Sequence, residues 1–474
     1  MKLSLYNTLL REKETFKPIN QDSVGFYSCG PTVYSRAHLG NMRAYIFADL
    51  LKRTLLLSGY SVNHVMNITD VGHLTDDADD GDDKLALRAK KEKVTAWELA
   101  LRYEDLFFAD CKALNIRRPD IVCRATDHIK EQIDMISRLE EKGFTYLTDD
   151  GVYFDTSRCD DYGKLARLDI EGLREGERVD IGQKKSKTDF ALWKFSPKDS
   201  QRDMEWDSPW GKGFPGWHIE CSAMSCRYLG ESFDIHTGGT DHIPIHHTNE
   251  IAQSECANGT HPFVRYWMHC QFLVFPSGEK ISKSLGHDLS IDGLRDKGID
   301  PLAYRYLCLT AHYRNFLNYT EEAIQAAEKS LKRLRALCQK FGYVKGTSEA
   351  QDRQTDFSEL MQKFPQVFEP LMDDLNSAKM IAAFWDILKD DSIDSHAKLE
   401  LITAVDSVLG VSLELVDTSR SLEVPANIQS LVEQRNAARN NKDWSLSDKL
   451  RDEIEVLGYR IEDTREGTLV SRLD

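Results

Sequence analysis

The sequence of 474 residues contains no run of about eighteen consecutive apolar residues, which is the length that a membrane-spanning helix needs. It also lacks the apolar core of a signal peptide, because Arg11, Lys13 and Glu14 soon interrupt the first apolar stretch. We therefore predict a soluble protein of the cytoplasm, with no membrane partner. In that compartment the ten cysteines are expected to be reduced thiols.

Paired cysteines and an excess of basic residues are missing as well. The cysteines are scattered and form no CxxC pair, which gives no support to a zinc finger of ordinary spacing. The 61 Lys and Arg residues stand against 77 Asp and Glu residues, so the net charge is −16. This balance argues against a protein that binds any nucleic acid by charge alone. It leaves room for one local basic stripe that holds a large RNA.

The first part of the chain predicts a βαβ unit and therefore an α/β fold. An apolar strand at Val24–Ser28 leads into the turn Cys29-Gly30-Pro31-Thr32, and apolar residues then recur at helical spacing as far as Gly59. The segment SVNHVMNI is typical of the next strand. Because ligands bind at the carboxyl ends of parallel strands, this unit places Cys29 and His38 beside a site.

The length of the whole chain, 474 residues, predicts two to four domains. Helical periodicity covers about residues 96–141, and the strand GVYFDTS leads into a charged, weakly periodic stretch that indicates an insertion. Sheet patterns resume at WHIECSAM and at SFDIHTGGTD, before a helix that contains His246. Residues 301–410 are predicted to be helical, and 421–428 to link them to a small terminal unit. The acidic run at 76–83 is predicted to be a solvated loop.

His246 and Glu250 are four residues apart on a predicted helix and therefore share one face. Alone, such a pair is more often a surface hydrogen bond than a metal site. Cys29 and Cys221 both fall in segments predicted to lie at the catalytic edge of the sheet, so a zinc site of two thiolates, one imidazole and one carboxylate is possible. The cysteines interpreted as small buried hydrophobic residues are Cys111, Cys123, Cys226, Cys256, Cys308 and Cys338.

Two short motifs suit a bound phosphate chain. His38-Leu39-Gly40-Asn41 begins a predicted helix, where free N–H groups attract anions, although a histidine there can simply cap the helix. KISKS carries Lys280 and Lys283, which alone would be a solvated basic turn but together with HLGN offer cations to a triphosphate. After a predicted strand, Gly239 and Asp241 suit a ribose. Asp241 also suits a helix N-cap, and the two roles are compatible.

These segments resemble the class I aminoacyl-tRNA synthetases and, within that class, the cysteinyl branch. CGPTVYSRAHLGN is similar to the first signature of the family, with Asn41 in its fourth place, and KISKS is similar to the second, with Ile281 where methionine is usual. WDSPWGKGFPGWHIECSAM, FDIHTGGTDHIPIHHTNEIAQSEC, MDDLN and the C-terminal LVEQRNAARNNKDWSLSDKLRDEIEVLGYRIEDT also resemble family segments. The resemblance therefore covers nearly the full length.

The resemblance implies roles for individual residues. Zinc would be held by Cys29, Cys221, His246 and Glu250. ATP, which magnesium accompanies, would contact His38, Gly40, Asn41, Gly239, Asp241 and Lys283, and the reacting phosphate would be stabilised by Lys280 and Lys283. The substrate L-cysteine would contact Thr69 and Trp217. Two departures from the family pattern are Thr248, where glutamate is usual, and the insertion GHLTDDADDG at 72–81.

The resemblance also implies a domain order for a monomer that charges tRNA(Cys). A Rossmann-type parallel-sheet catalytic domain would occupy 1–115 and 201–262, interrupted by an insertion at 116–200 and followed by a stem-contact segment with KISKS at 263–300, a helical bundle at 301–420 and a C-terminal anticodon-binding domain at 421–474. In the last unit, local positive charge comes from Arg435, Arg439, Lys442, Lys449 and Arg451.

Two other interpretations stay open at this point. A ligase that joins cysteine to an amino sugar resembles the same family over the catalytic half, but a small acceptor gives no reason for a C-terminal anticodon unit. A zinc-bearing RNA-binding paralogue without catalysis would be expected to lose one of HLGN, KISKS or the four zinc ligands, and all are intact in this sequence.

Overall fold

A computed structural model describes most of the chain, in two compact units, Met1–Leu413 and Glu414–Asp474. The described residues are 1–72, 84–168, 183–197, 202–277, 289–344, 357–414, 426–441, 443–464 and 467–472. Lys280, Lys283, Lys442 and the acidic run at 76–83 lie outside these residues. Among the described helices, none is both long enough and apolar enough to cross a membrane.

The first unit is built around a five-stranded parallel sheet with the strand order β11-β10-β3-β4-β5. The strands are β3 (Val24–Ser28), β4 (Val62–Ile68), β5 (Ile121–Arg124), β10 (Phe233–Gly239) and β11 (Val264–Cys270). From β3 the chain adds strands on one side, and from β10 it adds them on the other. The carboxyl ends of β3 and β10 therefore flank a topological switch point, where open α/β sheets bind ligands.

The helix α1 (Leu39–Leu57) follows β3 as the sequence predicts. Its N-cap is His38, whose ring accepts a hydrogen bond from the backbone N–H of Asn41 at 3.2 Å, while the Asn41 side chain accepts one from the His38 N–H at 3.2 Å. This reciprocal capping box satisfies two donors that a helix start leaves free. The helix is buried on most sides, because it packs on the sheet and also contacts helices of the following bundle.

The connective region between β5 and β10 contributes a second, antiparallel sheet with the order β6-β7-β8-β9. Its strands are β6 (Thr145–Leu147), β7 (Gly151–Phe154), β8 (Phe190–Phe195) and β9 (Gly213–Pro215), and the helix α4 (Ile129–Glu141) packs beside it. Phe154, Phe190 and Trp193 form the centre of its core. This core is separate from the two cores that pack on the two faces of the parallel sheet.

The structure departs from the sequence prediction at three places in this region. WHIECSAM does not form a strand but belongs to the helix α5 (Trp217–Leu229). Several buried residues of this helix are polar, so it lacks the apolar stripe by which a helix is recognised in a sequence. The parallel sheet also extends beyond the predicted catalytic segments. Hydrogen bonding to β4 brings β5 into the sheet after residue 115, and hydrogen bonding to β10 brings in β11 after residue 262.

The remaining described elements complete both units. The other strands of the first unit are β1 (Ser4–Asn7), β2 (Glu12–Thr15), β12 (Leu273–Val274) and β13 (Leu317–Asn318). Its other helices are α2 (Lys84–Glu92), α3 (Ala96–Ala113), α6 (His246–Asn258), α7 (Ile291–Asp296), α8 (Pro301–Leu309), α9 (Glu321–Gln339), α10 (Ser358–Lys363), α11 (Pro365–Met372), α12 (Ser377–Lys389) and α13 (Ser395–Leu409). The prediction of helix across 301–410 therefore misses β13, which pairs with β12.

The second unit consists of two helices and a hairpin. These are α14 (Ala426–Asn440), α15 (Trp444–Val456), β14 (Tyr459–Thr464) and β15 (Gly467–Arg472). Ile428, Val432, Ile454 and Ile461 make its small core. The predicted linker at 421–428 lies partly outside the described residues, and helix α14 already begins at Ala426.

Candidate metal centre and nucleotide site

A cavity of about 330 Å³ opens at the switch point between β3 and β10. The sequence-predicted residues that line it are Cys29, His38, Gly40, Asn41, Thr69, Trp217, Cys221, Gly239, Asp241 and His246. Glu250 lies behind His246 on the same helix. The fold thus brings together side chains that the sequence separates by more than two hundred positions.

Four potential metal ligands meet at one wall of this cavity. Cys29 follows β3, Cys221 lies in the second turn of α5, and His246 and Glu250 lie one turn apart at the start of α6. One ligand atom from each residue lies within 4.8 Å of the others. Cys221 lies on a helix and not at the end of a strand as predicted. The ligands therefore come from the end of the strand β3 and from the two helices α5 and α6.

The burial and charge of the potential ligand atoms favour a bound cation. The Oε1 atom of Glu250 is buried and lies 3.1 Å from Nε2 of His246. The hydrogen bond from Cys29 lowers the pKa of Cys221 to about 7, while burial raises the pKa of Cys29. Burial raises the pKa of Glu250, but His236 and His246 outweigh it and bring the value to about 2. A buried carboxylate beside a readily formed thiolate favours a bound positive ion.

Residues behind the ligands orient them. Nδ1 of His246 lies 3.0 Å from Nδ1 of His218, and Oε2 of Glu250 lies 3.0 Å from Nε2 of His236. Metal ligands usually have such hydrogen-bonded partners, which fix the ring or carboxylate orientation. Sequence reasoning missed His218 and His236. His218 lies within WHIECSAM and His236 within SFDIHTGGTD, but only their contacts with His246 and Glu250 on α6 reveal their role.

A second group of potential ligands overlaps the first. It combines Cys29 and Glu250 with His236 and His247, and Nε2 of His247 lies 3.3 Å from the Cys29 sulfur. Nδ1 of His247 lies 2.7 Å from Nε2 of His269. The shared residues allow one ion at a time. The first group contains two sulfurs, which are the donors that select zinc over hard cations, and so it is the better zinc site.

Glycines shape the cavity walls on both sides of the switch point. A Cβ atom on Gly30 would lie 1.6 Å from the carbonyl oxygen of Asn67, so no side chain fits there. A Cβ atom on Gly239 would lie 2.2 Å from Oδ1 of Asp241. Asp241 does not cap α6, because the N-cap is Ile245 and makes no side-chain cap bond. The N-cap role predicted for Asp241 is therefore wrong, and the carboxylate belongs to the cavity lining.

The predicted contacts for the small substrate lie beside the metal ligands. The hydroxyl of Thr69 donates to Oε2 of Glu220 at 2.9 Å and accepts from Nδ2 of Asn67 at 3.1 Å, so its position is fixed. The centroids of the Trp217 and His246 rings lie 4.3 Å apart. Thr248, the departure from the family pattern, is buried and donates to the carbonyl of Ile243 at 2.7 Å.

The insertion sheet also reaches this cavity through a residue that the sequence did not indicate. Lys194 of β8 lines the cavity, and its ammonium group donates to Asp150 at 2.6 Å and to the Tyr153 hydroxyl at 2.9 Å. Nothing in the segment DFALWKF distinguishes this lysine from a solvated one before folding.

Comparison with known proteins identifies the family. The family model of the tRNA synthetases class I (C) catalytic domain matches residues 15–329. The "Cysteine--tRNA ligase 1" of Burkholderia lata is 50% identical over 467 residues, which are 98% of this chain and 96% of that protein. The "Cysteine--tRNA ligase" of Treponema denticola is 42% identical over 484 residues, 98% of either chain. The chain belongs to the class I tRNA synthetase family of these ligases.

Solved structures of class I synthetases share the fold. The Mycobacterium tuberculosis methionyl-tRNA synthetase in complex with methionyl-adenylate superposes with a TM-score of 0.53 at 16% identity, covering 82% of this chain and 90% of that one. The LeuRS of Agrobacterium radiobacter, in a ternary complex, gives a TM-score of 0.56 at 11% identity and covers 83% and 84%. At these identities the likeness concerns the architecture of the family alone.

Proposed function

We propose that this synthetase-family chain is a cysteine--tRNA ligase. It activates L-cysteine with ATP to cysteinyl-adenylate and pyrophosphate, and transfers the cysteinyl group to the 3′-terminal ribose of tRNA(Cys). The observation that carries the proposal is the convergence of two thiols, an imidazole and a carboxylate on the wall of the cavity that the HLGN turn also lines. Relatives that bear the ligase name match over nearly their whole length.

The amino-acid end of the cavity selects for sulfur. Cys29, Cys221, His246 and Glu250 would hold one zinc ion, with His218 and His236 orienting two of these ligands. When bound, zinc supplies a Lewis acid that prefers the thiolate of cysteine to the hydroxyl of serine. An apolar pocket separates such isosteres only about a hundredfold. Thr69 and Trp217 would enclose the rest of the substrate beside this centre.

The opposite end of the cavity would hold ATP. Gly40 and Asn41 present the first turn of α1, whose N-terminal dipole favours the negative phosphates, and His38 lies at the helix cap. Gly239 and Asp241 would seat the adenosine, because the glycine permits a close approach and the carboxylate accepts ribose hydroxyls. Lys280 and Lys283 would stabilise the pentavalent phosphate, with magnesium accompanying ATP.

The second unit would recognise the anticodon end of the tRNA. It carries Lys449 and Arg451 as exposed cations, and Arg439 is half-buried. Arg435, which the sequence suggested as another RNA contact, is buried in this unit and so is a structural residue. We expect the ligase to act as a cytoplasmic monomer. A ligase for a small amino-sugar acceptor would leave this unit without a use.

The test is ATP–pyrophosphate exchange with cysteine and serine measured side by side, followed by charging of tRNA(Cys). Cysteine should support exchange and charging, whereas serine should support exchange at least about a thousandfold less efficiently, which corresponds to about 4 kcal/mol. Exchange without charging would favour the amino-sugar alternative. Absence of exchange with cysteine in zinc-replete protein would overturn the proposal.

A further inference from the structure

Arg36 forms an ionic bridge between two helices at the back of the HLGN turn. Its Nε and Nη2 atoms donate to the two carboxylate oxygens of Asp110 at 3.0 and 2.6 Å, and its Nη1 atom donates to Oδ2 of Asp292. Asp110 lies on α3, and Asp292 lies on α7. The planar guanidinium thus engages one carboxylate with a bidentate fork and the second carboxylate with its remaining edge.

This bridge is outside the cavity but adjacent to its lining in sequence. Tyr34, Ser35, Ala37 and His38 all line the cavity, whereas Arg36 points away from it towards α3 and α7. Only Ala37 separates Arg36 from the N-cap residue His38. The segment that leads into HLGN is therefore held from behind at one residue, and the next two residues face the proposed nucleotide.

The burial of the partners makes this contact more than a surface ion pair. The Asp110 side chain is fully buried, and the Arg36 side chain is 20% exposed. Ion pairs between fully exposed side chains contribute little to the stability of the fold, whereas a buried carboxylate needs a paired cation. Arg36 is the cation that pairs directly with Asp110, so the position of Arg36 is set by the need to neutralise a buried carboxylate. Asp292 is 37% exposed and also accepts from Arg295 at 3.1 Å. The Asp292 contact can therefore be removed without leaving a fully buried charge unpaired.

We infer that Arg36 is a positioning residue for the nucleotide, because its guanidinium fixes the segment entering the HLGN turn between the helices Ala96–Ala113 and Ile291–Asp296. The bridge sets the direction from which His38 and Asn41 meet the phosphates of ATP. It does not touch the metal-ligand wall, so it has no direct influence on the cysteine end of the cavity. This inference rests on the proposed function, since it assigns a consequence to the ATP role of the HLGN turn.

The test is the split between the KM values for ATP and for cysteine in pyrophosphate exchange. We expect Asp292→Asn to raise the KM for ATP about threefold and Arg36→Ala to raise it about tenfold, with little change in the KM for cysteine. Zinc content should equal that of the unmodified protein in both variants. Arg36→Lys should fall between the two, because an ammonium keeps the charge but loses the bidentate fork.

A paired variant keeps the test valid if Arg36→Ala fails to fold. Arg36→Gln combined with Asp110→Asn removes the buried charge and the ionic bridge together, and should fold while still raising the KM for ATP. The control is Glu321→Gln, which removes an ion pair of 2.7 Å with Lys297, the residue directly after α7. This control should leave both KM values unchanged.

The outcomes separate the inference from the proposed function. If the unmodified protein shows no exchange with cysteine, the proposed function fails. If it is active and the Arg36 and Asp292 variants have its KM for ATP, the positioning role alone is refuted. Equal rises in the KM for ATP and for cysteine would also refute it, because they would indicate a general loss of the cavity.

Discussion

Nη2 of Arg305 lies 2.5 Å from Oδ2 of Asp49, and both side chains are almost completely buried. The same carboxylate accepts from Nε of Arg53 at 2.7 Å and from the backbone N–H of Arg117 at 2.9 Å. Burial raises the pKa of Asp49, but Arg53 and Arg305 outweigh it and lower the value. Burial lowers the pKa of Arg305 to about 10, which still leaves it charged at neutral pH. This pair joins α1, the helix that begins at the HLGN turn, to α8 in the helical bundle.

Removal of one partner should therefore be costly. Asp49→Ala would leave two buried guanidinium groups without their carboxylate, and we expect a loss of about 3 to 5 kcal/mol in the free energy of unfolding. Thermal unfolding followed by circular dichroism would measure it. Asp134→Ala, which breaks the exposed pair between Lys130 and Asp134, is the control and should leave the melting temperature unchanged. A similar small effect of both variants would contradict the prediction.

Cys221→Ser should abolish stoichiometric zinc binding. The substitution removes one of two sulfur donors from the group formed with Cys29, His246 and Glu250, and oxygen is a poorer zinc donor there. Elemental analysis of purified protein is the measurement. Cys226→Ser is a matched control on the same helix, because its sulfur instead accepts from Nδ2 of Asn258 at 3.4 Å. Full zinc content in Cys221→Ser would show that the metal lies elsewhere.

Asp70→Asn should raise the free energy of unfolding, and this increase should be larger at higher pH. Burial raises the pKa of Asp70 from 3.8 to about 6 despite two hydrogen bonds from Thr126. A raised carboxyl pKa favours the folded state only while the group is protonated, so this contribution is lost as pH rises from about 4 to about 6. At neutral pH the variant should gain about 1 to 3 kcal/mol.

Melting temperatures of the Asp70 variant at about pH 5 and about pH 7.5 would measure this difference. Asp127→Asn is a nearby control, because the Asp127 side chain is 64% exposed. A constant gain at both pH values would mean that the amide improves packing and that ionisation is not involved.

Deletion of the unit Glu414–Asp474 should separate the two half-reactions. The first unit contains the cavity and all described candidate ligands, so pyrophosphate exchange should stay near the full-length rate. Charging of tRNA should fall by at least about a hundredfold, because the lost contacts orient the RNA and contribute salt-dependent affinity. Undiminished charging would refute the anticodon role, and joint loss of exchange and folding would show that the unit is needed for stability.

The sequence predicts the limits of secondary-structure elements correctly where several local signals agree. Strand Val24–Ser28, the following glycine- and proline-bearing turn and the helix that begins after His38 have the predicted limits, because periodicity, turn residues and a capping pair all agree there. The pattern of WHIECSAM predicts a strand, but this segment forms the helix that carries Cys221. His218, Glu220 and Ser222 are buried beside it, so polar partners replaced the apolar stripe on which helix prediction depends.

The order of the amino acids is enough to predict that His246 and Glu250 share a helix face and that HLGN begins a helix after a strand, since a helical turn fixes neighbours three or four residues apart. Cys29 and Cys221 reach this face only through long-range packing of the folded chain. That convergence depends on β10 pairing directly with β3 and on α5 packing against α6. Such long-range contacts leave no periodic trace in the sequence, because sheet order and helix packing are set by burial across the whole core.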